Sequence, residues 1–337
     1  MTVSRAVLVL AAVLIASMVL AVGIGPTWIA PSTVWHIVID TVVGNVIPDK
    51  SIGDAAIIRH LRFPRVILAA LVGAGLAVVG TTLQAVTRNS LADPYLFGIS
   101  SGAALGAVTI MLYSGAILGP FSLPLAAFGG AILALALVIG TAHQRGALLS
   151  ERLILSGVAV SFVLMAATNF LIFFGDRRGA AAAMFWMLGG LGAARWDLLA
   201  VPAIVLVLGL AFLLSQARRM NAVMIGDEIA TTLGIEVSRF RFVLFVACAL
   251  ITGTMVAVSG AIGFVGLMIP HVFRHVVGAD HRLLLPSAAL GGAIFLVWVD
   301  VCARTVLAPE DLPIGIFTAA IGGAFFLWQM QRTHRAL

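Results

Sequence analysis

Asp300 is a carboxylate set in an apolar run, LVWVDVCARTVL, and Arg304 follows four residues later, on the same face of any helix formed there. A charge inside a membrane-spanning stretch is a functional candidate by default. Two roles stay open to it: a structural ion pair with Arg304, or a part in moving a proton or an ion. His271 and His275 also stand four apart, in HVFRH, with Asp280 and His281 close behind, a spacing that can be imagined to ligate a metal. The acid of a zinc-hydrolase helix is missing, and the run reads as a solvated basic loop.

The single lysine, Lys50, lies in GNVIPDKS, close to the phosphate-binding pattern G-x-x-x-x-G-K-S. Asp49 takes the place of the second glycine and would repel a phosphate, and Pro48 removes a backbone donor. The segment therefore reads as a loop, and the chain carries no nucleotide-hydrolysing loop of its own. Cys248 and Cys302 lie far apart in apolar runs and read as small core residues. A membrane-embedded enzyme would need clustered acids, histidines or a serine with a base. None is found, so the chain is not read as an enzyme.

The elements that hold these residues must be membrane helices. Hydrophobic residues make up 61% of the chain, charged residues only 10%, and the mean hydropathy is +1.13. A soluble domain has charged residues near a quarter of its length. At roughly 20 residues per crossing, the apolar runs predict about ten spans: 6–24, one beginning in RHLRFPR (59–65) and running to 86, 96–113, one ending near 141, 153–174, one ending near 214, 242–258, the shorter GAIGFVGLMIP (260–270), 284–307 and 313–329. Thirty-five glycines suit close helix packing. The net charge of +6 is spread over span ends rather than gathered on one soluble face, which argues for topology and against nucleic acid. A modest excess of arginine, including Arg88, Arg145, Arg218 and Arg241, falls on one side, taken as the cytoplasm together with both termini. RFPRVILAALVGAGLAVVG from Arg62 echoes RFRFVLFVACALITGTMVAVSG from Arg239. The two spans run in opposite directions, as in an inverted repeat.

One stretch reads like a soluble protein: QARRMNAVMIGDEIATTLGIEVSRFR, Gln216 to Arg241. It predicts two amphipathic turns, with Met220, Val223 and Met224 on one and Ile229, Ala230 and Leu233 on the other. Asp227 is expected to cap the second turn and Gly234 to end it.

Four stretches resemble the FecCD-type permeases of bacterial ABC importers, which move ferric siderophores, haem and cobalamin: residues 61–103, 220–241, 259–293 and 311–326, including LRFPR, MIGDEIATTLGI, GFVGLMIPH and DLPIGIFTAAIGGAFF. Ser90 and Ala324 stand where such permeases usually have proline, which softens a turn or a kink. The resemblance implies an all-α, type II ABC importer permease, about ten transmembrane helices with an inverted repeat, forming one transmembrane domain over 1–337 with a cytoplasmic coupling segment at 216–241. It further implies a homodimer in the bacterial inner membrane, two separate ATPase subunits, a periplasmic substrate-binding protein, contact with lipid, and no cofactor. The expected cargo is a metal chelate, first a ferric siderophore, then cobalamin or haem.

Residue by residue, the resemblance implies ATPase coupling at Gly226, Asp227, Glu228, Leu233 and Gly234. It implies binding-protein docking by Arg62, Arg65 and Arg304, steered by charge, with snorkelling at helix ends as the other reading. It implies a cytoplasmic gate at Asn89, Leu91, Leu149 and Ser150, which otherwise read as turn and cap residues. An ion-coupled secondary transporter is the alternative, but it should show several paired acids or histidines in its spans, where this chain has Asp300.

Overall fold

The structure, a computed structural model, describes residues 3–27, 29–30, 32–37, 52–115, 117–142 and 150–334, and among these the chain is helical without strands. Lys50 and its loop lie outside the described residues. The helices are α1 (Val3–Gly23), α2 (Phe63–Thr87), α3 (Ile99–Thr109), α4 (Ser122–Ala142), α5 (Ser150–Phe174), α6 (Arg177–Met187) and α7 (Ala200–Ser215). They continue as α8 (Ala217–Ile225), α9 (Asp227–Thr232), α10 (Val237–Ser259), α11 (Val265–Val277), α12 (His281–Thr305) and α13 (Ile314–His334).

Among the described residues, eight helical segments are long and apolar enough to cross a membrane. The third and eighth expected spans are shorter, Ile99–Ser114 and Val265–Val277. Thirteen residues of α11 rise about 20 Å, short of a ~30 Å hydrocarbon core. Both short helices begin inside the bundle after a left-handed residue, Gly98 (φ 74°) and Phe264 (φ 68°). The expected second span also begins earlier than its hydropathy suggests. Ile52–Ala56 is already helical and passes through a π-helical turn, Ile57–Arg62, into α2. Pro64 explains the turn's end: in π register its N–H would reach the Arg59 carbonyl, but proline has none. The Trp196 indole donates to that carbonyl instead, at 2.7 Å.

Three helices form the core. The apolar window of α2 is 83% buried, against 17% for α13, which leaves most of its surface open to lipid or a partner. Hydroxyls inside α2 are satisfied by its own backbone: Thr81 donates to the Ala77 carbonyl at 2.8 Å and Thr82 to that of Val78 at 2.9 Å. Gly73 and Gly292 let α2 and α12 touch backbone to backbone, since a Cβ on either would strike the other's carbonyl oxygen. Gly80 meets the Gly266 carbonyl of α11 in the same way. Packing of this kind replaces the hydrophobic drive that lipid cannot supply. Gly80→Ala is therefore expected to lower the melting temperature in detergent, at the upper end of the roughly 1–3 kcal/mol that overpacking costs, because the obstacle is backbone. An unchanged melt would mean that the helices can part.

The α2 end near Arg65 meets the C-terminal end of α12, and the opposite end near Val86 meets the start of α10. Thus α2 runs antiparallel to α10, as the repeated stretches require.

Candidate functional site

The polar island lies at one end of the bundle as α8, α9 and the start of α10. Its inward face is Ala217, Met220, Val223 and Ala230, all buried. Its outward face carries Ile225 (69% exposed), Ile229 (46%) and Leu233 (65%), three apolar side chains at four-residue spacing across two helices. The sequence placed Ile229 and Leu233 with Ala230 on one apolar face. The structure corrects this, because the inner contact is made by the small Ala230 and the two larger side chains turn outward. Gly226 joins the helices with open space where a Cβ would be, and Gly234, left-handed at φ 78°, ends α9 as expected.

Asp227 does not cap α9, whose N-cap is Gly226 with no side-chain bond. Its carboxylate pairs instead with Arg241 of α10 at 2.9 Å and with Arg88, just past α2, at 3.3 Å. Arg241 is buried, and its Nε donates to the Val86 carbonyl at 3.1 Å. One carboxylate thereby fastens α9 to the ends of both repeated helices. Glu228 occupies the first turn of α9, where an acid complements the helix dipole. On the other side, the Asn221 amide donates to Asp280 at 2.8 Å and accepts from the His281 backbone at 3.0 Å, which ties α8 to the start of α12. Hydrogen bonds from Arg282 hold the Asp280 carboxyl well below the usual carboxylate range.

The other end carries a charged knot. Asp300, fully buried, receives Arg65 Nε at 2.7 Å and faces Arg304 Nε at 3.3 Å. Arg304 also donates to the Ala21 carbonyl at 2.6 Å. Arg62 donates to the carbonyls of Val22 at 3.0 Å and Gly23 at 2.9 Å, and to Thr27. The arginines expected to point outward for docking are thus turned inward, with Arg62 5% and Arg304 3% exposed. They bind the terminal carbonyls of α1, which have no partner within the helix, and no segment-by-segment reading can foresee this. Arg65 sits at the rim, its second arm on Asp311, itself 43% exposed. Of the two readings of Asp300, this geometry favours the structural ion pair.

Between the two ends lies an open, apolar cavity of about 460 Å³. Leu91, Tyr95, Leu188, Phe264, Gly315 and Ala319 are on its wall. Leu91 is half exposed, and Asn89 shapes the turn before it by accepting from the Leu91 N–H at 2.9 Å. Of the other two expected gate residues, Ser150 opens α5 and Leu149 lies outside the described residues. Phe264 was not singled out by sequence. A bulky residue with positive φ is an outlier that collects at functional positions, and its ring is accommodated by the bare Gly322 of α13. Cys248 is buried as expected, but Cys302 is exposed on the outer face of α12, because an apolar helix in lipid is apolar on both faces.

Among known proteins, residues 13–332 match the model of the FecCD transport family. The chain is 42% identical over 276 residues to a hemin transport system permease protein of Yersinia pestis, covering 81% of this chain and 82% of that one. It is 44% identical over 283 residues to a cobalamin import system permease protein of Halobacterium salinarum, covering 83% and 75% respectively. A solved structure described as an inward-facing conformation of a metal-chelate type ABC transporter superposes with a TM-score of 0.84 at 28% identity, covering 98% of this chain and 99% of the other. On the extent of the family match and of these relatives, the chain belongs to the FecCD transport family.

Proposed function

We propose that the chain is the permease subunit of an ATP-driven importer and carries a bulky metal chelate inward across a bacterial inner membrane. The observation that carries this reading is the outward apolar stripe Ile225, Ile229 and Leu233, on helices fastened by Asp227 to both α2 and α10. Such a stripe fits a groove in a partner, and its fastening passes the partner's movement to the bundle. The partner is a separate ATPase, two per transporter, on the cytoplasmic side, where both termini also lie.

A second copy of the chain closes the open cavity, so the pathway runs through a homodimer. Its apolar wall suits cargo recognised by shape, with Asn89, Leu91, Leu149 and Ser150 at the inner gate. Relatives named for hemin and cobalamin transport support haem or cobalamin as the cargo, and ferric siderophores share their bulk. On the periplasmic side a binding protein docks at the rim. There an acidic residue of that protein competes with exposed Asp311 for Arg65, while Arg62 and Arg304 hold the rim in shape.

Reconstituted with its ATPase and binding protein, the chain is expected to take up the chelate that the binding protein retains, with uptake requiring ATP and resisting a protonophore. Uptake by the chain alone, driven by a proton or ion gradient, would instead establish the secondary-transporter alternative.

A further inference from the structure

His271 and His275 do not lie in a loop. They stand one turn apart on α11, with their Nε2 atoms 3.2 Å from each other. This is a ligand bite. With metal–nitrogen bonds of about 2.0–2.1 Å, two nitrogens 3.2 Å apart subtend about 100° at a shared ion, between the angles of octahedral and tetrahedral coordination. Both imidazoles open onto a cavity of about 720 Å³ beside Phe325 and Trp328 of α13. Arg274, between them in sequence, is turned away, its guanidinium donating to Gln84 of α2 at 3.0 Å. Asp280 and His281 take no part, being engaged with Asn221 at the α8–α12 tie.

We infer that His271 and His275 form a bidentate site for a borderline divalent transition-metal ion such as Zn²⁺ or Ni²⁺, its remaining positions open to the Phe325–Trp328 cavity. Among the described residues no third histidine, cysteine or acid joins them, so water or a small ligand completes the shell. Without metal, one Nε2–H donates to the other Nε2. On binding, that ring moves its proton to Nδ1, and both Nε2 lone pairs face the ion. The bite also excludes a class. A metallated tetrapyrrole offers its two free positions on opposite faces, roughly twice the metal–nitrogen distance apart, about 4 Å, so the two nitrogens cannot both ligate haem or cobalamin. The site is distinct in chemistry from the proposed cargo.

The test is calorimetric titration of the full-length chain, free of any histidine tag, with ZnCl₂, together with thermal melting with and without Zn²⁺. The expected result is a Zn²⁺-dependent rise in melting temperature and one ion bound, with affinity falling in His275→Leu by more than the roughly 10–100-fold that an outer-shell partner costs. His275 is exposed, so the variant is expected to fold, and its metal-free melt checks that. His36→Leu, outside the site, should bind as the unaltered chain does. Absence of the Zn²⁺-dependent shift, or a shift that survives in His275→Leu, would overturn the site.

Discussion

Replacing Leu233 with aspartate is expected to abolish ATP-driven uptake while the chain still inserts and melts normally. Leu233 is 65% exposed and ends a stripe begun by Ile225 and Ile229, so the folded subunit loses little when it is changed. Exposed substitutions away from special features usually stay within about 0.5 kcal/mol. Against a partner the same change is large. A buried apolar anchor at an interface is worth on the order of 2–4 kcal/mol, and a carboxylate forced into its pocket also bears desolvation. Association should therefore weaken by roughly 30-fold or more. The measurement is co-purification with the ATPase, alongside substrate-stimulated hydrolysis and uptake. Normal coupling in Leu233→Asp would remove the docking role from this face.

The second large effect is expected at the opposite end. Asp300→Ala leaves Arg65 and Arg304 facing each other with no carboxylate between them, one at the rim and one almost fully enclosed. Removing one partner of a buried pair costs about 3–5 kcal/mol, because the remaining charge has lost its compensation. A steep fall in detergent melting temperature follows, and α1 should loosen first, since Arg62 and Arg304 hold its last carbonyls. Transport should decline only in step with the folded fraction. If Asp300→Asn kept full stability and lost transport, the carboxylate would be part of the transport chemistry and the structural reading would fail.

These two experiments probe residues whose meaning changed between chain and fold. The island at 216–241 is legible in sequence because polar residues are rare around it, and its breaks at Gly226 and Gly234 are visible too. Its apolar faces are only partly legible. Met220 and Val223 are buried, but Ile229 and Leu233 part from buried Ala230 and turn outward, since α8 and α9 pack on helix ends whose positions a helical period does not contain. Asp227 looks like a cap because acids favour that place, yet two arginines claim it, Arg241 from the next helix and Arg88 from the distant end of α2. Arg62 and Arg304 look like outward charges because they stand at span ends, and the terminal carbonyls of α1 turn them in.

By itself, the sequence determined that this is a bundle of membrane helices, roughly how many and with what repeat. Lipid forces every backbone group to pair within its own helix, so each span must announce itself as a long apolar run. It also determined the family, through four ordered stretches. Only the tertiary structure decided which face of each span is inside. A helix in lipid is apolar all round, and hydropathy then carries no period that separates core from surface. That is why Cys248 is buried and Cys302 is not, why α2 is enclosed while α13 is bare, and why two histidines that read as loop residues meet at 3.2 Å on one turn of α11.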